Sequence, residues 1–276
     1  MKQRRFLGFG GGDLQETGLV VLSIIKLMYN LVVDIGNTFS KMAVFSGRKL
    51  LEFKTAVAAT PAEVLPWLTT YPIANAIVSS VAEEPAELRI FLEKNCKYWR
   101  FSSELDGGVR NLYKTPSTLG LDRYAAVVGA YALNPGANSL VIDAGTCITY
   151  DFINREGAYY GGSISPGIRM RLKSMNTFTG RLPLIDFDPD FNKDYGDDTA
   201  GAMLSGVANG VVYEAIGFIQ QYEQKWPGLH VVLCGGDFNF FDRQLKSSIF
   251  AGNVKVEPHL VLIGLNEVIH HNEQIF

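Results

Sequence analysis

Apolar and polar positions fall in short blocks along this chain, and the blocks read as strands followed by helices. Leu31-Val32-Val33 is a compact apolar run ending at Asp34 and Gly36. Met42 to Phe45 is a second, bounded by Ser46-Gly47, and together they predict a hairpin. A third strand is predicted over Leu50 to Thr55, a helix from Pro61 to Thr70, a buried strand at Ala76 to Ser79, and a helix opened by Pro85 with the apolar face Leu88, Phe91, Leu92. Small and apolar residues from Arg123 to Leu133 predict a buried helix that stops at Asn134-Pro135-Gly136.

The pattern then starts again. Leu140-Val141-Ile142-Asp143-Ala144-Gly145 matches Leu31-Val32-Val33-Asp34-Ile35-Gly36 at Leu, Val, Asp and Gly, and each copy leads into further strands, Ile148 to Ile153 and Tyr159 to Ser165 in the second. A repeated unit predicts two similar domains. Two chance Asp-x-Gly turns are the plainer alternative. Pro166-Gly167 opens a helix to Thr177, an Asp- and Pro-rich loop runs to Asp198, and a long helix from Thr199 to Gln224 carries Gly201, Gly206, Gly210 and Gly217 near one side. That spacing lets another backbone approach. Pro227-Gly228 ends the helix, Leu229 to Leu233 is a buried strand, Cys234 to Asp237 a tight turn, and Leu260 to His270 the last helix.

Composition narrows the class. With 276 residues, two domains are the natural division at roughly 100–200 residues each. Hydrophobic residues at 47% and charged residues at 19% support a sizeable core and exclude disorder. A net charge of -3 with no basic block makes nucleic acid a poor partner. Three scattered cysteines, Cys96, Cys147 and Cys234, suit free thiols in the cytoplasm. The apolar run Leu19 to Ile25 is too short to span a bilayer, so no membrane association is expected. Residues 1–27 read as an extension outside the fold, 28–136 as the first domain and 137–276 as the second.

A carboxylate ending a buried strand, followed by glycine and a hydroxyl residue, suits phosphate chemistry. Gly36 opens the turn's backbone to an anion, Thr38 and Ser40 add donors, Lys41 adds charge, and Asp34 can hold hydrated Mg²⁺. Two such turns, at Asp34 and Asp143, would face one polyphosphate across a cleft. Gly235-Gly236 offers bare backbone for a base or ribose. No GxxxxGK[ST] is present, which argues against a P-loop kinase.

The order Asp-x-Gly, Asp-x-Gly-Thr, Gly-Gly resembles the actin, sugar kinase and Hsp70 superfamily. Within it, Asp34-Ile35-Gly36-Asn37-Thr38, Gly120-Leu121-Asp122-Arg123, Asp143-Ala144-Gly145-Thr146, Gly161 to Gly167 and Asp198-Thr199 resemble the type III pantothenate kinases over residues 28–276. The resemblance implies an α/β fold of two duplicated ribonuclease H-like, actin-like ATPase domains with a cleft between them, and ATP-dependent phosphorylation of pantothenate. It further implies an ATP phosphate loop made of Asp34, Ile35, Gly36, Asn37, Thr38, Phe39, Ser40 and Lys41, with Thr146 also on ATP. Asp143 would bind a monovalent cation, K⁺ or NH4⁺. Tyr113, Gly120, Leu121, Asp122, Arg123 and Thr199 fall on pantothenate positions, with Asp122 as proton acceptor. A homodimer is implied as well. Asp198 replaces the family's usual asparagine.

Plainer readings stand beside these. Asp122 and Thr199 sit where helix N-caps would, Arg123 could be a solvated first-turn residue, and Tyr113 a surface-loop aromatic. A nucleotide-responsive transcriptional accessory protein on the same fold is the rival function, and another small-molecule kinase or phosphatase of the superfamily is a third. The accessory protein would have no need of a base at Asp122.

Overall fold

The computed structural model describes residues 29–36, 38–81 and 83–273. The extension 1–27, Asn37, expected in a phosphate loop, and the last three residues lie outside the described residues.

The apolar run around Val32 becomes a central strand because both its faces are covered, which is why it does not alternate. This is β1 (Tyr29–Ile35), followed by β2 (Ser40–Ser46), β3 (Lys49–Ala56), α1 (Pro61–Thr70), β4 (Ile73–Ser80), α2 (Ala86–Asn95) and β5 (Lys97–Arg100). The sheet order is β3-β2-β1-β4-β5, with the first three antiparallel and β4 and β5 parallel to β1. Leu31 and Val33 face α1 and α2, and Val32 faces the other way. The edge strand β3 is largely exposed and carries Lys49, Glu52 and Lys54, charges that discourage further strand addition.

The second half repeats the plan. After β6 (Arg110–Asn111) and α3 (Leu121–Leu133) come β7 (Ser139–Ala144), β8 (Cys147–Ile153), β9 (Ala158–Pro166), α4 (Ile168–Phe178), α5 (Thr199–Lys225), β10 (His230–Cys234), α6 (Phe238–Leu245), β11 (Val254–Val256) and α7 (Leu260–Glu273). Its sheet runs β11-β10-β7-β8-β9-β6. Apart from the short β6, order and direction match the first sheet strand for strand.

Between the sheets lie α3 and α7, whose core takes Val32, Phe45 and Ile77 from one sheet and Val141, Tyr159 and Val232 from the other. The layers are therefore helices, sheet, helices, sheet, helices. The chain crosses between halves: β6 joins the second sheet, and α7 packs on β1, β2 and β4. The two central helices approach closely at Gly129 and Gly264, where any Cβ would collide with the facing backbone at Leu260 or Ala125. Among the described residues one helix, α5, is long and apolar enough to cross a membrane, but Val211, Ala215 and Ile219 are buried in the second core with Leu140 and Ile142.

Sequence boundaries hold to within a few residues for the predicted elements. Pro85 is the N-cap of α2 rather than its first helical residue. The short strands β5, β6 and β11 and the helix α6 were not predicted.

Candidate active site

Strand β1 delivers Asp34 to the end of the first sheet, and β7 delivers Asp143 to the equivalent place in the second. Both line one open cavity of about 760 Å³, together with Gly36, Thr38, Phe39, Lys41, Asp122, Gly145, Thr146, Gly235 and Gly236. A smaller cavity of about 250 Å³ shares Asp34, Thr38, Asp122, Asp143 and Thr146 and adds Val81, Arg123, Cys147 and Thr149. Asp122 is thus common to a nucleotide-sized space and a smaller one beside it. Ile35 and Ser40 lie off this surface, Ser40 buried within β2.

The turns are more closed than expected. The Gly36 N–H donates to Phe39 O at 3.1 Å and the Gly145 N–H to Cys147 O at 2.9 Å, so these amides hold the loops in shape and are not free for an anion. Thr38 and Thr146 remain as the lining hydroxyls. Gly235 has φ +93 and packs on the Asp143-Ala144 turn, where a Cβ would strike Ala144 O and the Asp143 carboxylate. Only glycine fits that position.

Burial pushes both Asp34 and Asp143 up to about 6, with the Asp122 charge adding to the push and Lys41 opposing it. Lys41 lies across the ladder from Asp34 in β2. Asp34, Asp122 and Asp143 gather around Lys41 as a set of hard oxygen donors, with Arg169 and Lys173 further along the same wall. That suits Mg²⁺, which keeps several waters and takes one or two carboxylates plus substrate phosphates. Among the described residues no group of three or more His, Cys, Asp or Glu forms a self-sufficient metal cage. The buried Thr149 hydroxyl, on the small cavity, has no hydrogen-bond partner, as a ligand-facing group would.

The raised carboxylates predict opposite pH trends. Between about pH 4 and 6 the folded state holds protons the unfolded chain has released, so these two groups lose stabilising effect as pH rises through their folded values. Ionised carboxylates are what a cation needs, so kcat/KM should rise over the same window while the melting temperature of the ligand-free protein loses their contribution. Initial rates and melting curves from pH 4 to 8 check this.

At the start of α3 the N-cap is Gly120, not Asp122. Asp122 stands in the first turn, with Oδ1 accepting the Arg123 N–H at 2.8 Å. Arg123 is not solvated. It is buried and paired with Asp151, Nε at 3.0 Å and Nη2 at 2.6 Å. Tyr159 donates its hydroxyl to the same carboxylate at 2.8 Å, and the half-buried Tyr113 stacks on Tyr159 with its ring 5.7 Å from the Arg123 guanidinium. Asp151 was missed in the sequence. Its only signal was a lone acid inside an apolar strand. Leu121 packs against the central core, and neither it, Gly120 nor Tyr113 lines the two cavities.

Thr199 is not brought to the cleft within one chain. It is the exposed first residue of α5, and the cap is Asp198, whose Oδ1 accepts the Gly201 N–H at 2.6 Å. Asp198 therefore does the work expected of an asparagine there. Cys234 is buried, and burial with the Asp143 charge beside it pushes its thiol well up, so it packs as an apolar group. Cys147 is only half-buried and lines the small cavity.

Two sheets of the same order closing on one cavity, with paired carboxylates at matching strand ends, define the actin-like ATPase fold. The fold is shared with the activator of 2-hydroxyisocaproyl-CoA dehydratase from Clostridium difficile, at TM-score 0.52 and 14% identity over 90% of this chain and 97% of that one. The model of the type III pantothenate kinase family matches residues 30–221. A type III pantothenate kinase of Phocaeicola vulgatus is 43% identical over 249 residues, 89% of this chain and all of that protein. Another from Cytophaga hutchinsonii is 39% identical over 88% of this chain and 99% of that protein. The chain belongs to the type III pantothenate kinase family.

Proposed function

We propose that the junction of the two cavities is where a phosphoryl group passes from ATP to pantothenate, with Asp122 as the proton acceptor. As a member of its family the chain is an ATP-dependent pantothenate kinase that makes 4'-phosphopantothenate, the first step of coenzyme A synthesis. The observation that carries the site assignment is the place of Asp122 on the wall of both cavities. The regulatory alternative has no use for a carboxylate there.

In the reaction the pantothenate hydroxyl oxygen bonds to the γ-phosphorus, the bond from that phosphorus to the β,γ-bridging oxygen breaks, ADP leaves, and the proton passes to the Asp122 carboxylate. Such transfer needs alignment and charge neutralisation more than covalent help. Lys41 and the Thr38 and Thr146 hydroxyls would hold the phosphates, Asp34 would hold Mg²⁺, and Asp143 would hold the monovalent cation, K⁺ or NH4⁺. A bound Mg²⁺ supplies Lewis-acid charge stabilisation on the phosphates. Arg123, held by Asp151 and backed by the Tyr113 and Tyr159 rings, orients the acceptor's polar groups.

Thr199 closes the acceptor pocket of a partner copy in a cytoplasmic homodimer. In support, it lies outside its own chain's cavities, and Gly206, Gly210 and Gly217 on the same helix have nothing within 4 Å of the position a Cβ would take. The two repeated units are 28–136 and 137–276, with β6 and α7 each crossing to pack on the other unit. Removing residues 1–27 should leave melting temperature and turnover unchanged, and loss of either would place that segment in the fold. The activity is tested by assaying a panel of hydroxyl acceptors with Mg-ATP, with and without K⁺. Pantothenate should be the preferred acceptor and K⁺ should stimulate, whereas a preferred sugar acceptor would contradict the assignment.

A further inference from the structure

The nucleotide reading of the 760 Å³ cavity leaves one ion pair on its wall without a role. Arg169, in the first turn of α4, places Nη1 2.7 and 3.0 Å from the two carboxylate oxygens of Asp237, which stands just before α6. Both residues line the cavity. The partners differ in exposure: the Arg169 side chain is 68% exposed and that of Asp237 only 10%. The guanidinium, largely in water and 5.7 Å from the Phe187 ring, can leave at small cost provided that new partners take over both it and the covered Asp237 carboxylate.

Asp237 is held in place by its backbone, whose N–H donates to Ala144 O at 2.8 Å, yet its carboxylate makes no capping bond to α6. It is a buried acceptor kept beside bare backbone, because nothing lies within 4 Å of a Cβ built at the neighbouring Gly236. Lys173, one turn beyond Arg169, lines the same cavity. A movable guanidinium, a lysine one turn away and a fixed carboxylate on a glycine floor complement a phosphate chain and a vicinal diol. Guanidinium binds phosphate bidentately and more strongly than it binds through neutral contacts.

We propose that Arg169 changes partners when the nucleotide binds, moving from Asp237 to the phosphate chain, and that the freed Asp237 carboxylate accepts hydrogen bonds from the ribose hydroxyls. The inference rests on the nucleotide reading and assigns residues of that same site. A pair that merely clamps α4 to α6 would respond alike to loss of either member. A pair that exchanges partners would not.

Calorimetric titration of Mg-tripolyphosphate, Mg-ATP and Mg-2',3'-dideoxy-ATP into the full chain separates the two. Arg169→Ala should weaken tripolyphosphate by about tenfold, the loss of a charge-assisted contact, and Arg169→Lys should recover part of it. Asp237→Asn should bind tripolyphosphate more tightly than the unsubstituted protein, since the competing anion is gone, and should lose the preference for ATP over its dideoxy analogue. Parallel weakening by both variants, or an unchanged ribose preference in Asp237→Asn, would overturn the proposal while leaving the nucleotide reading intact. Failure of the unsubstituted protein to bind Mg-ATP would overturn that reading and the proposal with it.

Discussion

Asp122→Asn should lower turnover by about 10²–10⁴-fold, the usual contribution of a positioned base, while Mg-ATP still binds. The expectation follows from the placement of the side chain. Asp122 is not the cap of α3, so its carboxylate is free of the helix's most important end contact. One oxygen accepts the Arg123 N–H, and an asparagine oxygen can do the same. The substitution therefore keeps shape and hydrogen bonding, removes the ability to take a proton, and with the lost charge eases the upward push on Asp34 and Asp143. Steady-state rates, nucleotide calorimetry and melting curves on one preparation check all three parts. Unchanged turnover would remove Asp122 from the chemistry, and a large fall in melting temperature would recast it as structural.

Asp151→Ala carries the largest expected effect on stability. Removing one member of a buried pair strands the other charge, here an Arg123 whose side chain is 7% exposed. The typical cost is about 3–5 kcal/mol, which for a chain of this size is a melting-temperature drop on the order of 10 °C. Tyr159 loses its acceptor in the same change. Because Arg123 also lines the smaller cavity, proposed to take the acceptor, KM for pantothenate should rise as well. Asp151→Asn, which keeps shape and one acceptor, should lose less stability and recover part of the KM. A melting temperature unchanged in both variants would show that the pair contributes nothing to the fold.

The strand ends that build the cleft were legible in the sequence because they are local: an apolar run, an acid, a glycine and a hydroxyl residue, written twice. The two sheets of equal order follow from that repeat. What escaped was set by contacts between distant segments. Asp151 looked like an interruption in an apolar strand, and only packing against α3 shows that it neutralises Arg123. Strand β5 is two aromatic rings flanked by charges, Lys97-Tyr98-Trp99-Arg100, which become a strand by pairing with β4. Helix α6 begins directly after the Gly-Gly turn and is too short to declare a period, but Phe240, Phe241 and Leu245 fill the second core. Gly264 gave no sign of its role, which depends on the approach of α3.

The central claim is that carboxylates from two matching strand ends serve a single nucleotide beside its acceptor. A crystal structure with Mg²⁺, a non-hydrolysable ATP analogue and pantothenate measures this directly. The account predicts one nucleotide per cleft, its phosphates lying between the turns after Asp34 and Asp143, and the pantothenate primary hydroxyl within hydrogen-bond reach of Asp122. Phosphates touching only one of the two turns, or a pantothenate hydroxyl remote from Asp122, would contradict it.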